Sequence, residues 1–517
     1  LEVNTNHGNC LFFIFWMVPA LCIFMFAFKS LSSDMSETSS RTAEPQTLVL
    51  LGIPFHDVTT GEALDHIGRL IELRRPSFVV TANLDFAAKA SKDVELQRIF
   101  VEADMVLCDG APILWTSRLT NHPLRERVAG SDIMPLLAAR AALKGWRIFL
   151  FGGAPDSLEK AAANLKLKHP DITIAGTYSP PFAPLHEYDD KEIATRIREA
   201  SPDILLVALG CPKQEKWIYK HYREIGVPCS IGVGACIDFL AGKVYRAPEL
   251  IARIGFEWLF RMLQEPRRLT GRYIQDAIFL ISQLLREKSA DFRRPKKTIF
   301  TNPHKIQRES SVEIIVWDGP LIAGTLSRLE KPNLARPFII DLSKVTRIDS
   351  AGLGHLLQTM RHAWAKETPG YFSTPSDCVH AILQITRLDR VIPLATEIAH
   401  AQKLLSDESF RESIRPEVVE SGLSMLVMIP PLLMKDNVST FFSTISEEWA
   451  KRPSLRELKL DFAGTRFVDS SGLGFLVKCH RMVGERDSGT MELLRIPPAV
   501  RNVIRIARLE TSLGISD

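Results

Sequence analysis

The sequence predicts an α/β chain: a mostly parallel sheet with helices on both faces, followed by two small α/β domains of one kind. Three observations predict it. From Leu48 to about residue 285, short apolar runs alternate with amphipathic helical stretches, the pattern of parallel strands joined by covering helices. Five of those runs stop at a glycine or a short polar cluster, which puts their ends on one edge of the sheet. Beyond residue 310 a pattern recurs 120 residues later, which implies two copies of one domain.

Size agrees with this division, since 517 residues at ~100–200 residues per domain suggest about three domains. A net charge of +4 is ordinary for the length and gives no global argument for nucleic acid. The eight cysteines are scattered without a C-x-x-C pair, which disfavours zinc and a disulfide framework and points to a reducing compartment.

In order, residues 1–46 form an N-terminal segment whose stretch Cys10–Phe28 is apolar apart from Pro19, about long enough to span a hydrocarbon core of ~30 Å. Two readings stay open. Lys29 follows the stretch and no Lys or Arg precedes it, so a membrane helix would leave the rest of the chain in the cytoplasm. Alternatively translation starts at Met35, which opens an ordinary polar start.

Residues 47–286 read as the sheet domain. Ser77–Val80 runs into Thr81-Ala82-Asn83, and Met105–Cys108 stops on Asp109-Gly110. Trp146–Phe151 stops at Gly152-Gly153, with Asp156-Ser157 offered as a cap for the next helix. Asp203–Leu209 stops at Gly210, and its loop carries Gln214 and Glu215; Pro228–Ile231 stops at Gly232-Val233-Gly234. Together these ends favour a crevice for a phosphate-bearing ligand, although G-x-G-x-x-G is absent. Asp109 alone admits two roles, helix cap or member of that site. The segment that follows is basic and aromatic, with Arg246, Arg261, Arg267, Arg268 and Arg272, and guanidinium groups suit a diphosphate. The same segment carries Leu259, Leu263 and Ile274–Leu285, apolar surface for an interfacial stretch on lipid.

Ordered motifs here resemble the WecG/TagA/CpsF family of bacterial glycosyltransferases. They are Gly52-Ile53-Pro54, T-x-N at Thr81–Asn83, Asp109-Gly110, R-V-A-G-S-D at Arg127–Asp132, G-x-P-x-Q-E-x-W at Gly210–Trp217, the run Gly232–Pro248, and F-E-W-L-F-R…E-P-R-R…R-Y at Phe256–Tyr273. The resemblance implies a Rossmann-like fold and an inverting hexosyltransferase. Such an enzyme moves a hexose or N-acetylhexosamine such as N-acetylmannosamine from a UDP-sugar to a polyprenyl-pyrophosphate-linked sugar, in surface polysaccharide assembly. It implies Asp109 as the base that takes the acceptor proton. Thr81, Asn83, Gly110, Arg127, Gly152, Gly153, Gln214, Glu215, Gly234, Asp238 and Arg246 are implied as substrate-binding positions. No D-x-D stands at a strand end, and Asp189-Asp190 reads as a solvated run, so neither metal nor cofactor is expected and arginines balance the leaving charge. The family's D-G-x-G-V is here Asp109-Gly110-Ala111-Pro112-Ile113, a stiffer turn beside the base.

Residues 287–310 are charged and aperiodic and read as a linker. Two domains follow, 311–410 and 411–517. Phe338–Leu357 matches Leu458–Val477, and Ile385-Thr386-Arg387-Leu388 is echoed at Ile506-Ala507-Arg508-Leu509. Both copies resemble STAS domains, the fold of anti-sigma factor antagonists, in which D-S-[ST]-G-L-G carries a switch serine. The second copy keeps that pattern at Ser470 and Ser471; the first has Ala351 before Gly352 and retains only Ser350. The Asp-Ser pairs are equally readable as helix caps or as phosphorylation sites that alter partner binding.

The expectation is a glycosyltransferase at the cytoplasmic face of the plasma membrane, peripheral or held by one N-terminal anchor, with a protein partner or kinase acting through the STAS domains. The alternative is a non-catalytic sugar-nucleotide-sensing scaffold or partner-switching regulator.

Overall fold

A computed structural model describes residues 45–120, 123–243, 257–291, 305–309, 312–329, 331–366, 368–406 and 417–418, and, with short interruptions, 423–513. The apolar stretch Cys10–Phe28 and Met35 lie outside the described residues. No helix among the described residues is long and apolar enough to cross a membrane.

The first domain opens with an antiparallel hairpin, β1 (Thr47–Leu50) and β2 (Ile53–His56). Its turn needs Gly52, which has φ +81°. A six-stranded sheet follows: β3 (Ser77–Ala82), β4 (Met105–Cys108), β5 (Arg147–Gly152), β6 (Thr173–Tyr178), β7 (Ile204–Ala208) and β8 (Cys229–Gly232). The order is β4-β3-β8-β7-β5-β6 and every pairing is parallel. Most of these strands are buried along their length, because helices cover both faces. The helices are α1 (Thr60–Glu72), α2 (Leu84–Ala90), α3 (Val94–Glu102), α4 (Ala111–Ser117), α5 (Gly130–Lys144), α6 (Pro155–Lys168), α7 (Asp190–Ala200), α8 (Lys213–Ile225) and α9 (Cys236–Leu240). One core joins Phe78, Phe100, Phe151 and Trp217, and the other face joins Ile67, Leu137, Leu150 and Ile231. The chain leaves β4 for β5 on the far side of the sheet, so its direction of winding reverses beside β3 and β8, and at such a point a parallel sheet has its crevice outside the strand ends.

Among the described residues two helices follow, α10 (Glu257–Gln264) and α11 (Pro266–Asp291). The linker expected at 287–310 is therefore too long at both ends. α11 runs on to Asp291, and Lys305–Glu309 forms β9, which pairs antiparallel with β10 (Val312–Leu321). The charged residues that suggested a linker suit an edge strand, where they discourage further pairing.

The second domain has sheet order β13-β12-β11-β10-β9, with β11 (Phe338–Ile348), β12 (Gly370–Ser373) and β13 (Leu394–Ala395). Its main helices are α12 (Ser350–Ala365), α13 (Asp377–Thr386) and α14 (Ile398–Ser406). The third domain repeats the plan with β14 (Glu417–Val418), β15 (Ser424–Met428), β16 (Leu432–Leu433), β17 (Glu457–Asp461), β18 (Phe467–Val468) and β19 (Thr490–Leu494). Its helices are α15 (Lys435–Lys451) and α16 (Ser470–Gly484), packed round Phe441, Phe475 and Leu460.

Candidate active site

Asp109 follows β4 directly, and its backbone N–H donates to the Ala82 carbonyl (2.9 Å), which carries the sheet one residue further. It does not cap the next helix. Gly110 occupies the cap position of α4 with no side-chain cap bond, so the Asp109 carboxyl is left to the crevice. Pro112 sits in the first turn of α4, where a missing N–H costs nothing. Gly110 is tight against its neighbour strand: a Cβ there would lie 3.2 Å from the Asn83 Cβ.

The carboxyl is pushed up to about 7 by burial, against the pull of the Arg127 guanidinium, while the Glu257 carboxylate reinforces the rise. The Gly130 backbone, at the start of α5, and Arg261 lower it further, each by less than Arg127. Arg127 reaches the site because Val128 N–H donates to the Cys108 carbonyl (2.9 Å), laying its loop across the end of β4. Its guanidinium donates to Glu257 (2.9 Å) and Asp132 (3.2 Å). This ties α10, 130 residues away in sequence, to the loop beside Asp109.

On the neighbouring strands, Thr81 Oγ1 donates to the Gly232 carbonyl (3.1 Å) and is buried, so it fastens β3 to β8. Asn83 caps α2 by accepting from Asp85 N–H (3.1 Å). Gln214 is 1 % exposed, and its Oε1 accepts from the backbone N–H groups of Gly210 and Gly234, each at 3.1 Å. Its Nε2 donates to Glu215 (2.6 Å), whose buried carboxyl is pushed up to about 7. The pair is thus no solvated helix start; it binds the loops after β7 and β8 together. Gly152 has φ +90°, and a Cβ there would meet the Ala208 carbonyl at 2.9 Å. Gly153, with φ +78°, has open space at its Cβ position apart from Ile237 at 3.9 Å. Asp238 accepts from Ser157 (2.8 Å), joining α9 to the start of α6. The cap of α6 is Ala154, followed by Pro155, in place of Asp156-Ser157, because Pro fits the first helical position.

A second ionisable group adjoins the crevice. Lys89 donates to Asp85 (2.8 Å) and to the Cys211 carbonyl (3.0 Å), and Asp276 of α11 is pushed up to about 7 by burial and by the charge of Asp85, with Arg272 opposing. Asp190 departs from the solvated run expected of it. It accepts from Trp217 (3.1 Å) and Lys220 (2.6 Å) and its carboxyl is held down to about 2, since His221 and Lys220 hold it ionised against the penalty of burial.

The structure therefore brings Asp109, Gly110, Asn83, Thr81 and Arg127 to one end of the crevice. Gln214, Glu215 and Gly234 stand in the middle, and Gly152, Gly153 and Asp238 beyond. Arg246 lies outside the described residues. Sequence reasoning had not singled out Glu257, Asp132 or Gly130 for the site. Glu257 stands between two aromatic residues, Phe256 and Trp258, in a run rich in arginine, and that setting was its signal. In the STAS domains, Asp349 caps α12 by accepting from Gly352 N–H (2.8 Å), with Ser350 as the first helical residue. α16 starts at Ser470, while the side chains of Ser470 and Ser471 lie outside the described residues.

The sequence profile of the glycosyl transferase WecG/TagA/CpsF family matches residues 48–294, and that of the STAS domain matches 284–401 and 408–517. Three relatives are named N-acetylglucosaminyldiphosphoundecaprenol N-acetyl-beta-D-mannosaminyltransferase. The protein of Bacillus subtilis (strain 168) is 31 % identical over 261 residues, 50 % of this chain and 97 % of its own. That of Bacillus spizizenii is 32 % identical over 38 % of this chain and 75 % of its own, and that of Staphylococcus aureus (strain MW2) 27 % identical over 47 % and 93 %. With Asp109, Arg127 and the glycine loops gathered at one sheet edge, this chain belongs to the WecG/TagA/CpsF family of glycosyl transferases and is a hexosyltransferase that carries STAS domains after its catalytic domain.

Proposed function

We propose that the chain transfers an N-acetylhexosamine of the N-acetylmannosamine type from a UDP-sugar to a polyprenyl-pyrophosphate-linked sugar, with inversion, in surface polysaccharide assembly. The observation that carries this reading is the Asp109 carboxyl, held near pH 7 at a strand end beside Arg127. In one displacement the acceptor hydroxyl gives its proton to Asp109 as its oxygen attacks the anomeric carbon from the face opposite UDP. The bond from that carbon to the UDP oxygen breaks and UDP leaves with the electron pair. Arg261 and Arg272, with Arg246, are the groups suited to the diphosphate, and we assign the reaction no metal on the chemistry of this donor set. The acceptor class follows the names of the relatives.

The reading includes work at the cytoplasmic face of the plasma membrane. It is supported by Ile278, Ile281 and Leu285, exposed at spacings of three and four on α11, with Leu263 on α10. It also includes a protein partner or kinase for the STAS domains.

The test is UDP release from a panel of UDP-sugars with a short-chain lipid-pyrophosphate N-acetylglucosamine acceptor. Wild type is expected to turn over and Asp109→Asn to lose at least ~10²-fold, the lower range for a general base. Equal, slow release by both would sink the enzyme reading in favour of a scaffold. Loss of activity in chelator, restored by Mg²⁺ or Mn²⁺, would overturn the metal-free assignment.

A further inference from the structure

The two STAS copies supply an internal comparison. Gly352 and Gly472 are equivalent, and in both a Cβ would run into a strand carbonyl of the same domain, that of Leu321 or Leu433. Two residues on, the copies differ. A Cβ on Gly354 would overlap the carbonyl oxygen of Thr47, in β1 of the glycosyltransferase domain, whereas a Cβ on Gly474 meets nothing within 4 Å. The helix start that carries the family motif is thus covered in the first copy and open at that position in the second.

The cover is extensive and specific. Ala351, which replaces the hydroxyl residue of the motif, is 1 % exposed and belongs to the core of the glycosyltransferase domain. Val49 of β1 and Val101 of α3 belong in return to the core of the first STAS domain. Gln97 Nε2 donates to the Thr386 carbonyl (2.8 Å), the Arg387 guanidinium donates to the Ser91 carbonyl, and Arg98 stacks over the Trp364 ring. Thr386 and Arg387 are residues of the echoed I-x-R-L motif.

What is held in this way leads to the site. β2 lies along β4, and His56 of β2 accepts from Val106 N–H (3.0 Å), the strand that ends at Asp109. α11, which sets Asp276 near Asp85 and Lys89 of α2, packs between α2 and α13 of the STAS domain.

We propose that the first STAS domain takes the glycosyltransferase domain of its own chain as its partner and serves as a positioning domain, holding β1–β2 and α11 so that β4 presents Asp109 correctly. The proposal rests on the function proposed above for the consequence it draws for turnover, and on the interface alone for the docking. Thr47 and Gly354 act through β1 and touch no substrate.

Matched substitutions at equivalent positions test it in the full chain. Gly354→Ala and Gly474→Ala raise helix propensity alike, so a difference between them reports the docked face. Gly354→Ala is expected to speed amide exchange in residues 47–56 by at least tenfold. It should also lower kcat on the order of tenfold, as small misplacements of reacting groups do. Gly474→Ala should match wild type in both. Arg387→Asn, which keeps the left-handed backbone but cannot reach Ser91, is expected to move both readouts the same way by less and guards against misfolding of the first variant. If Gly354→Ala equals Gly474→Ala in exchange, docking is overturned; if exchange rises and kcat holds, positioning is overturned. A wild type without transferase activity would end the functional reading, while the exchange comparison would still decide the docking.

Discussion

At Asp109 burial and a neighbouring guanidinium oppose one another, and their balance sets the pH at which this carboxyl can serve as the proposed base. Burial favours the neutral acid, and Arg127 favours the carboxylate, leaving the group to titrate at about 7. A base must be ionised, so log(kcat/KM) is expected to rise with unit slope up to about pH 7 and then level off. Arg127→Gln should move that limb to higher pH and Glu257→Gln to lower pH, because each removes a charge of known sign; a limb that moves with neither would assign it to another group. Stability runs the opposite way. A carboxyl whose folded pKa lies above its unfolded value near 4 contributes stability that is fully present below that value and lost as pH rises through about 7. Asp109→Asn should therefore raise Tm at pH 8 relative to wild type while lowering turnover by at least ~10²-fold. The position of Asp109 was legible from the sequence, because a polar residue after an apolar strand marks the sheet edge. Its tuning was not, since Glu257 reaches it through Arg127 only after folding.

At the scale of elements, the glycine-ended strands were readable because glycine takes left-handed backbone without steric cost, and at Gly152 a Cβ would also strike the Ala208 carbonyl. What joins the loops was not readable in the same way. Gln214 looked like a ligand-facing residue, and folding buries it between the ends of β7 and β8, where one amide oxygen serves two backbone donors. Gln214→Ala would leave both N–H groups and the Glu215 carboxyl without that partner, at ~1–3 kcal/mol for each buried group. The expected result is a Tm several degrees lower together with a raised KM for the UDP-sugar, both measurable on one preparation. A variant with normal Tm and raised KM would instead assign Gln214 to direct substrate contact. The edge strand β9 was misread for a different reason: its charges disguise alternation, and pairing with β10 is decided by tertiary contact.

Across the whole molecule, the repeat made the two STAS domains visible, yet identical glycine motifs gave no sign that one copy would be docked and the other open. That difference arises from Thr47, some 300 residues away in sequence, and its one local trace is Ala351 in place of the hydroxyl residue. The Bacillus subtilis relative is matched over 97 % of its length by half of this chain, so in that family member the catalytic domain stands without a counterpart of the STAS part. In this chain Val49 and Val101 have become part of a shared core, and a buried valine is worth ~1.5–3 kcal/mol relative to an exposed one. Ending the chain after Ser406 removes only the second STAS domain and should leave both Tm of the catalytic unit and kcat close to those of the full chain. Ending it after Asp291 exposes both valines together with the docking face of β1. At a few degrees per kcal/mol for a domain of this size, Tm should fall by on the order of 10 °C, with loss of solubility from the uncovered apolar face. Calorimetry of the two truncations beside the full chain separates the roles: equal melting of both would mean that the first STAS domain contributes nothing to the catalytic fold. A large drop confined to the shorter chain would make that domain an integral layer of the transferase and leave the second as the copy available to a partner.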